Sequence, residues 1–195
     1  MGKKTERKNQ ILQSAARLFS SRRFDEVLMD DIAQEAGVAK GTLYGYFPDK
    51  EELYFAVIFE GISDLNTRLR ARVEKDTSPE EKLREMMHAL VSFSRQNRFF
   101  FKLMSIEDSK SEKGRGENRR RWRDERGKQM HVIEQVLQSG VEKGVFCIRD
   151  LRLEAGILRD MVRSSITNSD GSASIEELVE VIMGIFLHGV KRKPA

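Results

Sequence analysis

The scarcity of proline is the feature that most limits how this chain can fold. Its 195 residues contain three prolines, Pro48, Pro79 and Pro194. A proline in the interior of a helix removes a backbone hydrogen bond and kinks or breaks the helix. The long stretches without proline can therefore be helical. Apolar residues in these stretches recur every three or four positions, and no Asn-Gly or Asp-Gly pair lies between alternating apolar runs. The sequence therefore predicts an all-α fold.

Three segments have the form of helix start signals. Asp49-Lys50-Glu51-Glu52 and Ser174-Ile175-Glu176-Glu177 match the capping box, in which a short polar side chain and a later glutamate satisfy the first amides. Ser78-Pro79-Glu80-Glu81 adds a proline at the first helical position, where proline is favoured. With the apolar periodicity, these signals predict helices over about residues 5–21, 28–36, 39–46, 49–75, 79–93, 99–106, a long one through Trp122 to about 144, 151–167 and 174–190.

The segment from Glu107 to Asn118 has a different composition from the rest of the chain. It is polar and contains Gly114 and Gly116. Polar stretches with glycine between periodic segments are typical of loops. We therefore expect a surface loop here.

Composition excludes several classes of protein. A single cysteine, Cys147, cannot form an intramolecular disulfide framework, and the three histidines have no ligand-like spacing, so neither a metal site nor a cofactor is expected. No apolar stretch behind the basic start has the form of a signal peptide, and no apolar run approaches the roughly 18–20 residues that cross a membrane. A cytoplasmic protein without membrane association is expected. The net charge of +4 does not by itself indicate nucleic acid, although residues 1–23 carry seven basic residues and one acidic residue.

Two short predicted helices follow the first long one, and a glycine-containing turn joins them. Gly37 stands where a helix C-cap glycine is expected, between the segments 28–36 and 39–46. A long helix followed by two short ones with such a turn is the outline of a helix-turn-helix.

Residues 24–53 contain a series of short elements in a fixed order. They are Ile32-Ala33, Ala36-Gly37-Val38, Gly41-Thr42-Leu43-Tyr44, Tyr46-Phe47 and Lys50-Glu51-Glu52-Leu53. In order and spacing they resemble the DNA-binding module of tetracycline-repressor-like (TetR family) regulators, over about residues 8–58. The resemblance implies a homodimeric transcription regulator, in most cases a repressor. In such regulators a small molecule bound in the C-terminal domain alters the separation of the two DNA-reading heads.

Two positions depart from the family pattern. Val27-Leu28 stands where the family usually has Thr or Ser before the second helix, and Ala39 stands where it usually has Ser before the recognition helix. Loss of a hydroxyl N-cap costs roughly 0.5–2 kcal/mol of helix stability. We therefore expect both short helices to begin without a side-chain cap.

The resemblance also implies which residues contact DNA. The set consists of Lys40, Gly41, Thr42, Tyr44, Tyr46 and Lys50. The first three would face the major groove, and the two tyrosines would donate hydroxyl hydrogen bonds to phosphates. Lys50 would meet the DNA backbone beside the N-terminal dipole of its helix. Core packing of the tyrosines with their hydroxyls in water is the alternative.

Methionine and aromatic residues of the C-terminal part are candidates for the wall of an apolar ligand pocket, because methionine adapts its shape and aromatics supply area. They are Met86, Phe93, Phe100, Met104, Trp122, Met130 and Met161. Ordinary core packing is the alternative, and it is the more typical role for each of them taken singly.

The last two predicted helices carry a wide apolar stripe. The residues predicted to mediate dimerisation are Leu158, Met161, Leu178, Ile182, Met183 and Phe186. Val181 and Ile185 widen the stripe beyond what one partner helix covers. Dimerisation is also expected because helix-turn-helix dimers read two half-sites about 34–36 Å apart.

Together these features predict an N-terminal three-helix helix-turn-helix module, residues 1–49, joined to a C-terminal helical ligand-binding and dimerisation domain, residues 50–195. The predicted function is a ligand-responsive repressor, not an enzyme, that binds a near-palindromic operator in double-stranded DNA as a homodimer. A partly apolar small molecule is the expected effector. One alternative is a helical small-molecule-binding protein or enzyme with a degenerate helix-turn-helix, although the sequence has no nucleophile–base or phosphate-loop motif. Another is a DNA-binding protein that responds to no ligand.

Overall fold

A computed structural model describes residues 2–74, 76–109, 116–169 and 171–190. Over these ranges the chain forms nine α-helices and one short 3-10 turn, which confirms the all-α prediction. The elements are α1 (Lys3–Ser21), the 3-10 turn (Phe24–Glu26), α2 (Met29–Glu35), α3 (Lys40–Tyr46), α4 (Lys50–Val73), α5 (Pro79–Gln96), α6 (Arg98–Ser109), α7 (Glu117–Glu142), α8 (Leu151–Asn168) and α9 (Ile175–Val190). In the described part of the chain, no helix is both long enough and apolar enough to span a bilayer.

The predicted start signals all act as caps. The Glu52 amide donates to Asp49 Oδ1 at 2.8 Å, and the Glu81 amide donates to Ser78 Oγ at 3.1 Å. At the start of α9 the exchange is reciprocal, because Ser174 Oγ accepts from the Glu177 amide at 3.1 Å and the Ser174 amide donates to Glu177 Oε2 at 2.6 Å. Caps are local in sequence, which is why the helix starts could be predicted.

The short helices α2 and α3 begin without such caps. Leu28 and Ala39, their N-cap residues, make no side-chain hydrogen bond to the first turn. Gly37 has φ of +61°, so the turn between these helices uses the left-handed conformation that favours glycine.

The predicted loop over residues 107–118 is wrong at both ends. Helix α6 continues to Ser109, and α7 begins at Glu117. Glu107 lies inside α6 and is 1% exposed, because partners on two other helices hold its carboxylate. Gly114, the centre of the predicted loop, lies outside the described residues.

The chain divides into two compact units. The first contains the described residues of 1–63 and 97–122, and the second those of 64–96 and 123–195. Within the first unit, α1 packs against α2 and α6. Its fully buried side chains include Ile11, Ile32, Leu43, Leu53, Ile58 and Ile62. A Cβ on Gly61 would lie 2.9 Å from Phe100 Cδ1, so α4 and α6 approach closely at this glycine.

Helices α5, α8 and α9 pack on one another in the second unit. Its core is apolar and rich in methionine. Side chains that are no more than 3% exposed include Leu69, Leu83, Met86, Met87, Phe93, Ile133, Leu137, Leu158 and Met183.

Candidate nucleic-acid interface

Helix α3 presents one face to the core and the other to solvent. Leu43 is 0% exposed and Phe47, at the C-cap, is 5% exposed, so these two side chains anchor the helix. Lys40, Gly41 and Tyr44 are exposed on the other side. The structure thus places three of the predicted DNA-contact residues together on an open helical surface.

Two glycines on this surface pack against nothing in the described part of the chain. Gly41 and Gly45 are four residues apart, which places them on one helical face. A Cβ added at either would meet no atom within 4 Å. Glycine within a helix costs about 1 kcal/mol relative to alanine. Because the fold does not require these glycines, close approach of another molecule to the helix is a physical reason for them.

Lys40 is held by an acidic residue of the preceding helix. Its Nζ lies 2.8 Å from Oδ1 of Asp30, and both side chains are about 60% exposed. The hydrogen bond and the charge of Asp30 raise the pKa of Lys40 above its ordinary value. An exposed pair of this kind adds little stability, so its main effect is to orient the ammonium group.

The two tyrosines of α3 differ in their surroundings. Tyr44 is 42% exposed. Tyr46 is half-buried, and its hydroxyl donates to the backbone oxygen of Lys4 at 3.1 Å. This bond joins the end of α3 to the basic first turns of α1. Direct contact between either hydroxyl and phosphate stays a prediction.

Lys50 is the first residue of α4, and its ammonium group forms hydrogen bonds within the protein. Its Nζ donates to the backbone oxygens of Phe24 at 2.8 Å and Val27 at 2.9 Å, with a longer contact of 3.4 Å to Asp25. The same ammonium lies 4.6 Å from the centroid of the Phe24 ring. Lys50 therefore fastens α4 to the 3-10 turn that precedes α2. Its predicted contact with the DNA backbone is untested by this arrangement.

A buried polar cluster lies behind these elements in the first unit. The Tyr54 hydroxyl donates to Glu107 Oε1 at 2.8 Å, and Arg119 Nη1 lies 3.1 Å from Glu107 Oε2. Arg119 also donates to the Glu107 backbone oxygen at 3.0 Å. Burial, and then the Glu107 carboxylate, raise the pKa of the Tyr54 hydroxyl far above its ordinary value, so it remains a donor. No local pattern in the sequence indicates this cluster, because its members lie on three helices.

The predicted ligand-contact residues are divided between the two units. Phe100, Met104 and Trp122 belong to the first unit, and Met86, Phe93, Met130 and Met161 belong to the second. Five of the seven are at most 5% exposed, whereas Met130 and Met161 are partly exposed. Their part in ligand binding stays a prediction.

The second unit also contains a buried amide with an unused acceptor. Asn66 is 6% exposed, and its Nδ2 donates to the backbone oxygen and to Oε2 of Glu125, both at 3.2 Å. Because both partners are acceptors, the amide cannot be turned round without losing these bonds. Among the described residues, Asn66 Oδ1 has no hydrogen-bond partner.

The residues predicted for dimerisation lie mostly in the core of the second unit. Leu158, Leu178, Ile182, Met183 and Phe186 are at most 7% exposed, and Met161 is partly exposed. The exposed apolar side chains are their neighbours, which we call the α8–α9 apolar face: Leu153 (59%), Ile157 (48%), Val181 (55%) and Ile185 (63%). A groove of about 480 Å³ runs along α8 beside Leu153, Ile157 and Met161.

Comparison with known proteins adds to this geometry. The sequence matches "Bacterial regulatory proteins, tetR family" over residues 11–57 and "Tetracyclin repressor-like, C-terminal domain" over residues 76–190. The chain belongs to the TetR family. It is thus a helix-turn-helix transcriptional regulator, and the predicted family and its two-part helical architecture are confirmed.

Individual members of the TetR family match to different extents. The chain is 35% identical to the transcriptional activator FasR of Mycolicibacterium smegmatis over 88 residues, but this match spans only 40% of FasR. It is 25% identical to the transcriptional repressor KstR2 of Mycobacterium tuberculosis over 98% of this chain and 96% of KstR2. The KstR2 structure superposes with a TM-score of 0.81 over 96% of each chain, at 22% identity. AibR, solved with isovaleryl coenzyme A and operator DNA, has the same fold, with a TM-score of 0.79 at 22% identity over 92% of this chain and 97% of AibR.

Proposed function

We propose that this regulator represses transcription by binding a near-palindromic operator as a homodimer, and that a partly apolar small molecule releases it from DNA. Residues 1–49 would form the DNA-binding domain, and residues 50–195 the ligand-binding and dimerisation domain. The observation that carries the proposal is the open face of α3, where two glycines face solvent without any packing need. Repression, rather than activation, is favoured by the likeness to KstR2 over nearly the whole chain.

In the proposed complex, the exposed face of α3 enters the major groove of duplex DNA. Lys40 can donate to guanine O6 and N7, and Thr42 can bond to base edges. Gly41 and Gly45 let the helix backbone approach the groove. Tyr44, Tyr46 and Lys50 would lie at the edge of the groove, where polar groups contact phosphates.

The α8–α9 apolar face is the proposed dimer interface. Leu153 and Ile157 are four residues apart on α8, as are Val181 and Ile185 on α9, so each pair forms a stripe on its helix. The predicted residues Leu158, Leu178, Ile182, Met183 and Phe186 would support this face from beneath. Met161 would reach it directly. A two-fold dimer brings identical patches together, as such a self-complementary apolar face requires.

The proposed effector site lies in the C-terminal domain. Its apolar side chains would hold the body of the ligand, and the free Asn66 Oδ1 would accept a hydrogen bond from a ligand hydroxyl or N–H group. A buried acceptor is costly when it has no partner, so a donor on the ligand would be selected strongly. KstR2 is described as a ketosteroid regulator, and AibR was solved with isovaleryl coenzyme A. Steroids and acyl-coenzyme A thioesters are therefore the classes to test first.

The TetR relatives are transcriptional regulators, which supports a role without catalysis. We propose that the protein acts in the cytoplasm, where the chromosomal DNA of a bacterium is located. The alternative that the protein is an enzyme would require a set of side chains positioned to react with a substrate. The ligand-independent alternative would predict operator affinity that no steroid or thioester changes.

A glycine-to-leucine substitution tests the DNA-binding face directly. The operator is first recovered by selection of a random-sequence duplex pool on the wild-type protein. Gly41→Leu should abolish retardation of that operator in a gel shift, because the side chain prevents close approach. Gly127→Leu on α7 is the matched control, since Gly127 is also helical and a Cβ there also meets no atom within 4 Å. Equal binding by the two variants would count against the proposed interface.

A further inference from the structure

Contact with DNA does not explain the buried carboxylate of the first unit. Glu107 on α6 is 1% exposed and is bonded to Tyr54 on α4 and Arg119 on α7. Carboxylates are almost never fully buried unless they are paired, because the charge loses its hydration. None of these three residues lies on α3. The cluster therefore holds three helices of the first unit together and does not itself contact DNA bases.

The ring of Tyr54 extends this cluster toward the helix-turn-helix. It meets the Phe19 ring edge-on at a centroid distance of 5.2 Å and the Phe24 ring at 5.3 Å. Phe24 in turn lies under the ammonium group of Lys50. A single side chain thus touches the helix-turn-helix with its ring and holds α6 with its hydroxyl.

Tyr54 and Lys50 are one helical turn apart on α4, so they fasten the same face of that helix. Apolar packing restricts the rotation of a helix only through the shapes of the side chains that interdigitate, because the hydrophobic effect itself has no direction. Hydrogen bonds are directional and fix that rotation. Lys50 bonds to the 3-10 turn and Tyr54 bonds to Glu107, so directional contacts join α4 to two other elements of the first unit.

We propose that Tyr54 and Glu107 are positioning residues, which fix how the helix-turn-helix is held against α4 and thereby set the half-site spacing that the dimer accepts. This inference rests on the proposed function, since it requires a two-fold dimer on a palindromic operator. In such a dimer, any rotation of the helix-turn-helix relative to α4 occurs in both copies. The distance between the two recognition helices then changes, and the spacer length of the operator that binds best reports that distance.

The test uses the full chain and the operator that the wild type selects from a random-sequence duplex pool. Variants of this operator have the central spacer lengthened or shortened by single base pairs. Tyr54→Phe removes the hydroxyl but keeps the ring against Phe19 and Phe24. We measure the ratio of the affinity for the selected spacing to the affinity for the altered spacings. This ratio should fall by about three- to tenfold relative to the wild type. The salt dependence of its binding should not change, because no phosphate contact is lost.

Ile133→Val is the matched control. It removes one carbon from a side chain that is 0% exposed in the second unit, so the core there packs less well. Its unfolding temperature should fall, as that of Tyr54→Phe should, but its spacing preference should remain that of the wild type. Loss of stability alone would therefore not imitate the expected result.

Glu107→Gln is the second variant, because its amide oxygen can still accept from Tyr54 although the charge facing Arg119 is lost. It should keep more of the spacing preference than Glu107→Leu, which has no acceptor. A wild type that selects an operator, with Tyr54→Phe and Glu107→Leu both keeping its spacing preference, would overturn this inference alone. A wild type that retains no duplex from the pool would overturn the proposed function as well.

Discussion

Lys40 Nζ lies 2.8 Å from Asp30 Oδ1, so the first residue of the recognition helix is paired with the first turn of the helix before it. The ammonium of Lys40 is thereby held at the open end of α3 rather than left to sample many rotamers. Because both side chains remain more than half exposed, DNA can replace Asp30 as the partner of Lys40. The pair therefore orients a predicted DNA-contact residue from within the helix-turn-helix.

Replacement of Lys40 should weaken the operator complex through lost charge and lost base contact. Lys40→Met should reduce the affinity for the selected operator more than the affinity for random duplex, since a base contact carries about 1–3 kcal/mol of discrimination. Titrations of both duplexes over a range of salt concentrations measure this difference. Lys143→Met is a suitable control because Lys143 is an exposed lysine of the second unit. Equal losses on both duplexes would contradict base recognition.

Asp30→Asn should lower the pKa of Lys40. In the wild type, the hydrogen bond and the charge of Asp30 raise this pKa above its ordinary value of 10.5. The folded-state pKa is the higher one, so the small stabilisation by the pair is fully present below pH 10.5 and is lost as the pH rises through the folded-state pKa. NMR titration of the Lys40 side chain in both proteins measures the change. An identical pKa in the variant would contradict the pairing.

Lys50→Met should destabilise the protein, because three backbone oxygens lose their donor. We expect a loss of about 1 kcal/mol in the free energy of unfolding, measured by denaturant titration. Lys50→Arg, which keeps the charge, should recover part of it. The salt dependence of operator binding gives a second reading, since each lost phosphate contact lowers the slope by about 1. Unchanged stability of Lys50→Met would contradict the internal role.

Ala39→Ser should stabilise the helix-turn-helix. Ala39 is the N-cap residue of α3, with an extended backbone and no capping side chain. A serine hydroxyl at that position can accept from an amide of the first turn, with a gain of about 1 kcal/mol. Thermal unfolding of Ala39→Ser against Ala39→Val separates the hydroxyl from the added volume. A serine variant no more stable than the valine variant would contradict this account.

Ile185→Glu should separate the proposed dimer. Ile185 is 63% exposed in the single chain, so the charge does not disturb its core. Two copies facing each other across a two-fold axis would place glutamates in an apolar interface, which is strongly unfavourable. Analytical ultracentrifugation should find a monomer with weakened operator binding, whereas Ile185→Leu should remain dimeric. If Ile185→Glu remains dimeric, Ile185 does not lie in the dimer interface.

The helices could be predicted from the sequence because their signals are local. Asp49, Ser78 and Ser174 act on amides three residues away, and the apolar spacing is read within single segments. The helix-turn-helix could be predicted for the same reason, since the turn at Gly37 and the two short helices are adjacent in sequence. The open face of α3 is the side opposite the buried Leu43 and Phe47.

Contacts between distant segments could not be predicted in this way. The Lys50 ammonium meets the oxygen of Phe24 across 26 residues, and the Tyr54 hydroxyl meets Glu107 across 53. Glu107 stands next to a polar segment, so composition indicated a loop and not a buried carboxylate. On α9, periodicity identified the apolar stripe and its extra width at Val181 and Ile185, but it did not show which residues of the stripe the single chain buries. Ile182 is buried and Ile185 is exposed because α5 and α8 pack against one side of the helix only.

The α8–α9 apolar face has a further consequence for how such a regulator responds in the cell. If only the dimer binds the operator and the protein is scarce, most chains are monomers. The number of occupied operators then grows with the square of the protein concentration. A modest fall in synthesis, or dilution as the cell grows, would then free the promoter more sharply than it would for a protein that binds as a single chain. As the proposed dimer interface, these four exposed side chains would make gene control sensitive to how many copies of the protein exist.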